Sequence, residues 1–275
     1  MAVDSAPSDF LGGGLPRKPQ RVRFRTFRAI SALMLREMST RFGRTPGGFA
    51  WAILQPLATI IILGMAFSLI ARSPALGTSF ILFKGTGMMA FQMFKSTSNV
   101  VGRSLSFSGS LLAYPGVTWL DALLARALLN FLVTLIVTIL ILSGIIIYQD
   151  LVLILDWSRI ALAMALAALL GMGIGTLNCF LFERISIWSN VWSIATAPLM
   201  IASGVLILYE QLPTFAQSIL WYNPAMHITG LMREGFYSTY QPSYISVTYV
   251  VFCSMVPLVI GLMLLRRYHL QLLNR

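Results

Sequence analysis

YEQLPTFAQSILWYNPAMHITGLMREGFYSTYQPSY, residues 209–244, is apolar enough to enter a bilayer, yet Pro213, Asn223-Pro224 and Pro242 divide it into pieces. Those pieces run to about a dozen residues, whereas a helical crossing needs roughly 20, and an internal proline removes a backbone donor and ends or kinks a helix. The stretch is therefore expected to dip into the membrane and return on the same side. Trp221, Tyr222, Phe236, Tyr237, Tyr240 and Tyr244 carry rings that favour the boundary between water and lipid, and His227, Arg233 and Glu234 sit among them.

Long uncharged runs lie on both sides of it. The sequence predicts spans at about 51–71, 80–101, 127–149, 160–182, 185–209 and 245–265, six in all. The composition agrees: 57% hydrophobic and 11% charged, where a soluble domain carries about 25% charge. The segments left over are too short for a soluble domain with its own core, so residues 26–275 form one all-α membrane domain. Gln55-Pro56 marks a kink in the first span. The second contains Lys84 and Lys95, which near the ends of a span snorkel to the headgroups. Lys95 also shares a polar patch with Gln92, Ser96, Ser98 and Asn99, which must face protein or a water-filled path. Gly171, Gly173 and Gly175 in the fourth span have neither the spacing nor the preceding strand of a dinucleotide site, and read as close helix packing.

Residues 1–25, with GGG at 12–14 and RKPQRVRFR at 17–25, have the composition of a disordered basic tail. From Thr26 the period becomes helical. Phe27, Ile30, Met34, Met38 and Phe42 share a stripe about 120° wide, while Arg28, Arg36, Glu37 and Arg44 fall outside it and Arg41 lies near its edge. Such an amphipathic helix lies in the plane of the headgroups, either as an anchor or as a contact for a partner. TPGG at 45–48 breaks it before the first span.

Between the second and third spans, RSLSFSGSLLAYPGVTWLD at 103–121 cannot cross. Ser108 to Tyr114, closed by Pro115-Gly116, reads as a short helix and turn presenting Leu111, Leu112 and Tyr114. It either rests on lipid or docks a soluble protein.

The net charge of +11 does not point to nucleic acid, because nine of the twenty Lys and Arg precede residue 45 and the rest flank apolar runs. With the N-terminus inside, the cytoplasmic segments gain Arg103, Arg184, Arg266, Arg267 and Arg275, against Arg72, Lys84, Arg159 and Arg233 outside. The positive-inside rule then places both termini in the cytosol and residues 209–244 on the outer side. No apolar core of signal-peptide type occurs in the first 25 residues. Cys179 and Cys253 fall within apolar runs and His227 and His269 are far apart in sequence, so neither a disulfide framework nor a metal site is expected.

No lysine follows a glycine, so a GxxxxGK[ST] phosphate loop is absent, as are HExxH and GxSxG. The spans hold almost no acids or histidines of the kind that membrane-embedded catalysis uses. A conduit or lipid handler, or the membrane half of a pump driven by another polypeptide, fits this inventory; a catalytic residue does not suggest itself.

The order of elements resembles the permease subunits of type-2 ABC exporters. Within that group, LREMSTRFGRTPGGFAWAILQP at 35–56 and LWYNPAMHITGLMREGFY at 220–237 are similar to the capsule polysaccharide export permeases of Gram-negative bacteria, over residues 28–270. The resemblance implies six transmembrane helices, an N-terminal amphipathic interface helix, a cytoplasmic coupling helix and re-entrant outer helices between spans five and six. It implies a homodimer in the inner membrane with two copies of a cytoplasmic ATPase subunit, which bind the ATP and Mg. The cargo would be a lipid-linked capsular polysaccharide, handed to periplasmic and outer-membrane export proteins. Residues 104–117 would be the coupling helix seated on the ATPase, so that Ser108, Leu111, Leu112 and Tyr114 make the contact, with Arg41, Glu183 and Arg184 as further contacts.

A sliding sugar chain stacks on aromatic faces with little directional demand. Phe67, Phe91, Phe94, Trp188 and Trp192 are candidates for the path between protomers or, equally, for core positions. Lys84, Lys95 and Arg233 are candidates to offset acidic sugars, and Trp221, Tyr222, Arg233 and Glu234 to form the outer mouth. Two alternatives remain: an O-antigen, teichoic acid or small-molecule exporter of the same architecture, and an integral membrane enzyme acting on lipid-linked sugars, the latter resting on His227, Arg233 and Glu234.

Overall fold

The computed structural model describes residues 25–42, 47–112 and 118–273. These form ten α-helices with no strand among the described residues: α1 (Arg25–Phe42), α2 (Gly48–Ile70), α3 (Phe80–Gly102), α4 (Ser104–Leu112), α5 (Trp119–Tyr148), α6 (Trp157–Arg184), α7 (Trp188–Ala202), α8 (Thr214–Leu220), α9 (Pro224–Phe236) and α10 (Val247–Leu273). Four of them, α2, α5, α6 and α10, are long and apolar enough to cross a membrane.

Local capping explains where four of the helices begin. Ser79 accepts from the Leu82 amide at the start of α3. Thr118 and Asp121 form a reciprocal capping box that starts α5 well before the uncharged run at 127–149. Asp156 accepts from the Ser158 and Arg159 amides at the start of α6. Asn223 accepts from the Ala225 amide with Pro224 in the first turn of α9, where proline's missing donor costs nothing.

The central element is α3. It packs against α2, α5, α6 and α9, and α6 packs in turn against α10. Burial along most of α3 accounts for a helix that carries Lys84, while Gln92, Lys95, Ser96 and Asn99 form a half-buried face. Asn130 of α5 donates to the hydroxyls of Ser96 (2.8 Å) and Thr97 (3.1 Å), and Thr134 lies 3.3 Å from Ser96. Of the patch predicted around Lys95, Ser96 thus turns toward α5, while Ser98 bonds back to the Lys95 carbonyl and lies against Gly175 of α6.

Lipid solvates a leucine about as well as another helix does, so close approach and interhelical hydrogen bonds hold such a bundle more than apolar burial does. The three glycines of α6 supply that approach. A methyl at Gly171 would stand 2.7 Å from the Phe94 carbonyl oxygen of α3, one at Gly175 would stand 2.9 Å from that of Ser98, and Gly173 faces the Ser254 backbone of α10.

The structure corrects the fifth span. In place of a continuous helix over 185–209, α7 covers 15 residues, about 22 Å at 1.5 Å per residue, and ends at Ala202. Gly204 follows in the left-handed conformation at φ 72°, a helix-ending geometry that costs other residues strain. The chain then runs irregularly from Ser203 to a single 3₁₀ turn at Tyr209–Gln211. Both ends of the bundle gather loops. At one lie α1, α4, the end of α6 and the start of α5; at the other lie the α2–α3 and α5–α6 loops and the chain from 203 to 246.

Candidate functional site

The first candidate region surrounds the break after α7. Four carbonyls freed by that break, within Ala202–Leu206, are each taken by a side chain from another element. Asn223 Nδ2 donates to the Ala202 carbonyl at 3.0 Å and Thr229 Oγ1 to that of Ser203 at 2.6 Å. Arg233 Nη2 donates to the Val205 carbonyl at 3.0 Å, and Lys84 Nζ to that of Leu206. Three of these donors come from the α9 segment, where Thr229 and Arg233 are spaced i, i+4 on one helix face. Lys84 comes from α3.

Both cations are deeply buried, at 2% exposure for Lys84 and 1% for Arg233. This corrects two expectations. Lys84 does not snorkel, and Arg233 does not stand in the outer mouth. The Lys84 ammonium lies 3.5 Å from the centroid of the Phe67 ring, and the Arg233 guanidinium 4.2 Å from that of Phe83, so ring faces and carbonyl dipoles stabilise charges that no carboxylate among the described residues touches. Gly87 makes room for this arrangement, because a methyl there would stand 2.9 Å from Arg233 Nη2.

Around the break, the rings of 209–249 interlock. Trp221 stacks on Tyr249 at 5.1 Å between centroids and donates through Nε1 to the Tyr244 carbonyl at 3.2 Å. Its own carbonyl lies 2.7 Å from His227 Nε2. The Ser246 amide donates to His227 Nδ1 at 3.2 Å, which leaves the imidazole proton on Nε2. His227 is thus a neutral strut with both nitrogens used. Tyr209 stacks on Tyr244 at 4.1 Å, and Tyr240 donates to the Glu210 carboxylate at 3.0 Å. Burial, then the neighbouring Tyr244 and Glu210, push the Tyr240 phenol above its ordinary range. Tyr222 points well out, 68% exposed, as does Phe215 at 77%. Glu234 pairs with Arg159 at the start of α6, a partner that the sequence did not single out.

The path candidates separate into two groups. Phe91 and Phe94 pack edge to face at 5.7 Å inside the core and are each 1% exposed, so they line no path, a correction that follows from the central position of α3. Phe67, Lys95, Trp188 and Trp192 are half-buried. Trp188 donates to Asn178 Oδ1 at 3.0 Å, while Trp192 Nε1 is buried without a partner among the described residues.

The second region is the opposite end of the bundle. There α1, α3, α4, α5, α6 and α7 enclose a cavity of about 640 Å³ lined by Arg36, Glu37, Arg103, Phe107, Ser108 and Arg126, among others. Leu105 anchors α4 in a small cluster with Val101, Leu123, Cys179 and Leu265. Ser106 donates to Glu183, so the Glu183 carboxylate is turned inward onto α4, while Arg184 remains exposed. Ser108 is buried against the cavity. Leu111 and Leu112 end α4, but their side chains, that of Arg41, and Tyr114 lie outside the described residues. The ion pair of Glu37 with Arg126 was not singled out from sequence, because nothing local joins residues so far apart.

Over residues 28–237 the chain matches the family profile described as ABC-2 type transporter. The chain belongs to the ABC-2 type transporter family. Among curated proteins, this ABC-2 transporter chain is 31% identical to the polysialic acid transport protein KpsM of Escherichia coli, over 86% of its own length and 92% of that protein's. It is 28% identical to the capsule polysaccharide export inner-membrane protein CtrC of Neisseria meningitidis and 27% to BexB, of the same description, from Haemophilus influenzae. Each of these two alignments covers 88% of the ABC-2 chain and 91% of the relative.

Proposed function

We propose that the chain is the membrane-spanning permease subunit of an ATP-driven exporter that moves lipid-linked capsular polysaccharide across the inner membrane. The observation that carries this reading is similarity along nearly the full length of three proteins whose names specify capsule polysaccharide or polysialic acid export. In this reading α3, and α7 together with the unwound segment that follows it, cross the membrane with α2, α5, α6 and α10, giving six spans with both termini in the cytosol. The hairpin of α8 and α9 is re-entrant from the outer side, and α1 lies along the cytoplasmic headgroups. Two copies of the chain assemble with two ATPase subunits, which hold ATP and Mg, and pass the polymer to periplasmic and outer-membrane export proteins.

The geometry is consistent with a driven device. An α4 bolted to α5 and α6 transmits displacement where a loose surface helix would not. The short, lightly packed α7, with Ile194 and Ile201 exposed, leaves an apolar face for the second copy and the path between them. The test is reconstitution of the chain with its ATPase subunit in vesicles containing labelled lipid-linked polysaccharide. ATP-dependent movement of the polymer to the far side is expected. Uphill movement by this chain alone, or ATP-driven movement of small molecules but not of polymer, would overturn the reading.

A further inference from the structure

The guanidinium of Arg126, on α5, joins three elements that lie far apart in the chain. Its Nη2 pairs with Glu37 Oε1 of α1 at 2.9 Å, and the two side chains are 8% and 21% exposed. Its Nη1 donates to the Arg103 carbonyl, at the junction of α3 and α4, at 2.8 Å. Its flat face lies 4.5 Å from the centroid of the Phe107 ring on α4. A planar fork with fixed donor directions holds such partners at defined angles, which a lysine's single rotatable ammonium does not. Both terminal nitrogens already bond protein acceptors, so Arg126 is placed to join helices and not to receive an anionic cargo.

Motion passes between sites through rigid elements and charged contacts that have discrete arrangements. From α4 the firm connections run two ways: to α6 through Ser106 and Glu183, and to α5 and α1 through Phe107, Arg126 and Glu37. We infer that Arg126 is a positioning residue that carries displacement of α4 to the surface helix α1 and the inner end of α5, so that the three move as one body during transport. This rests on the reading of α4 as the helix that the ATPase subunit engages.

The experiment uses the assembled permease and ATPase in vesicles, reading polymer moved per ATP hydrolysed, together with photo-crosslinking from a reactive residue at Ser110 of α4 to the ATPase subunit. With Arg126→Gln or Glu37→Gln, the transport ratio should fall about ten-fold, within the usual range of coupling between sites, while the crosslink and membrane insertion persist. The charge-reversed double variant, Glu37→Arg with Arg126→Glu, should recover part of that loss, because the ion pair is restored while the bond to the Arg103 carbonyl and the contact with Phe107 are not. An unchanged ratio in an inserted, crosslinked Arg126→Gln complex overturns the inference and leaves the docking reading intact. If Arg126→Gln does not insert, Glu37→Gln gives the same decision from the more exposed partner. No crosslink in the unsubstituted complex overturns both.

Discussion

Lys84 of α3 and Arg233 of α9 donate to neighbouring carbonyls, those of Leu206 and Val205, in the unwound segment after α7. Two like charges are thereby held inside the bundle on one stretch of backbone. A buried carbonyl without a donor costs about 1–3 kcal/mol, and hydrogen bonds from charged donors contribute about 1.5–3 kcal/mol, so the break and the cations sustain each other. Arg233→Met should lower stability by about 2 kcal/mol, read as thermal unfolding in detergent. Each single replacement also relieves repulsion between the cations, but the double variant Lys84→Met/Arg233→Met relieves it only once. The double variant should therefore lose more than the two singles together. A loss equal to their sum would show that the two charges do not sense each other, and a smaller loss that the shared break couples the two bonds more strongly than repulsion opposes them.

The next residue behaves differently. Glu234 pairs with Arg159, which is 46% exposed, and solvent-screened pairs contribute at most about 1 kcal/mol. Glu234→Gln should change stability by less than that, in contrast to Arg233→Met. A larger loss would mean that the pair is shielded in the assembled complex.

Gly173→Ala places a methyl against the Ser254 backbone of α10, which has no flexible side chain to move aside. Overpacking of this kind costs about 1–3 kcal/mol, and the yield of folded protein should fall accordingly. Gly144→Ala within α5, where nothing lies within 4 Å, is the control and should lose nothing, and gain up to about 1 kcal/mol from the better helix former.

Among the rings of 209–249, Tyr222→Ala removes an exposed side chain and should leave stability within about 0.5 kcal/mol while, on the proposed function, lowering export. Trp221→Ala removes a ring stacked on Tyr249 and the bond to the Tyr244 carbonyl, and should lower both stability and export. Equal export in Tyr222→Ala and the unsubstituted chain would remove Tyr222 from the outer mouth.

On the opposite face, Leu112→Asp at the end of α4 should abolish co-purification of the ATPase subunit without preventing membrane insertion. Normal co-purification with normal export would exclude this part of α4 from the docking surface.

Hydrophobic length and the placement of Lys and Arg are properties of the chain taken locally, and they were enough to reveal a helical membrane protein, the broken stretch at 209–244 and a non-crossing helix after residue 103. The glycines of α6 announced close packing for the same reason, since only a missing Cβ lets backbones approach so nearly. The length of α7 was not readable in this way. The run 185–209 is uncharged throughout, and its helix stops at Ala202 because Asn223, Thr229, Arg233 and Lys84 reach its carbonyls from 21 or more positions away. The same holds for Phe91 and Phe94, whose rings look identical in sequence whether they face a path or a core, and for Glu37 with Arg126. Hydrogen bonds and ion pairs between distant segments depend on which helices are neighbours, and that is set by packing around α3.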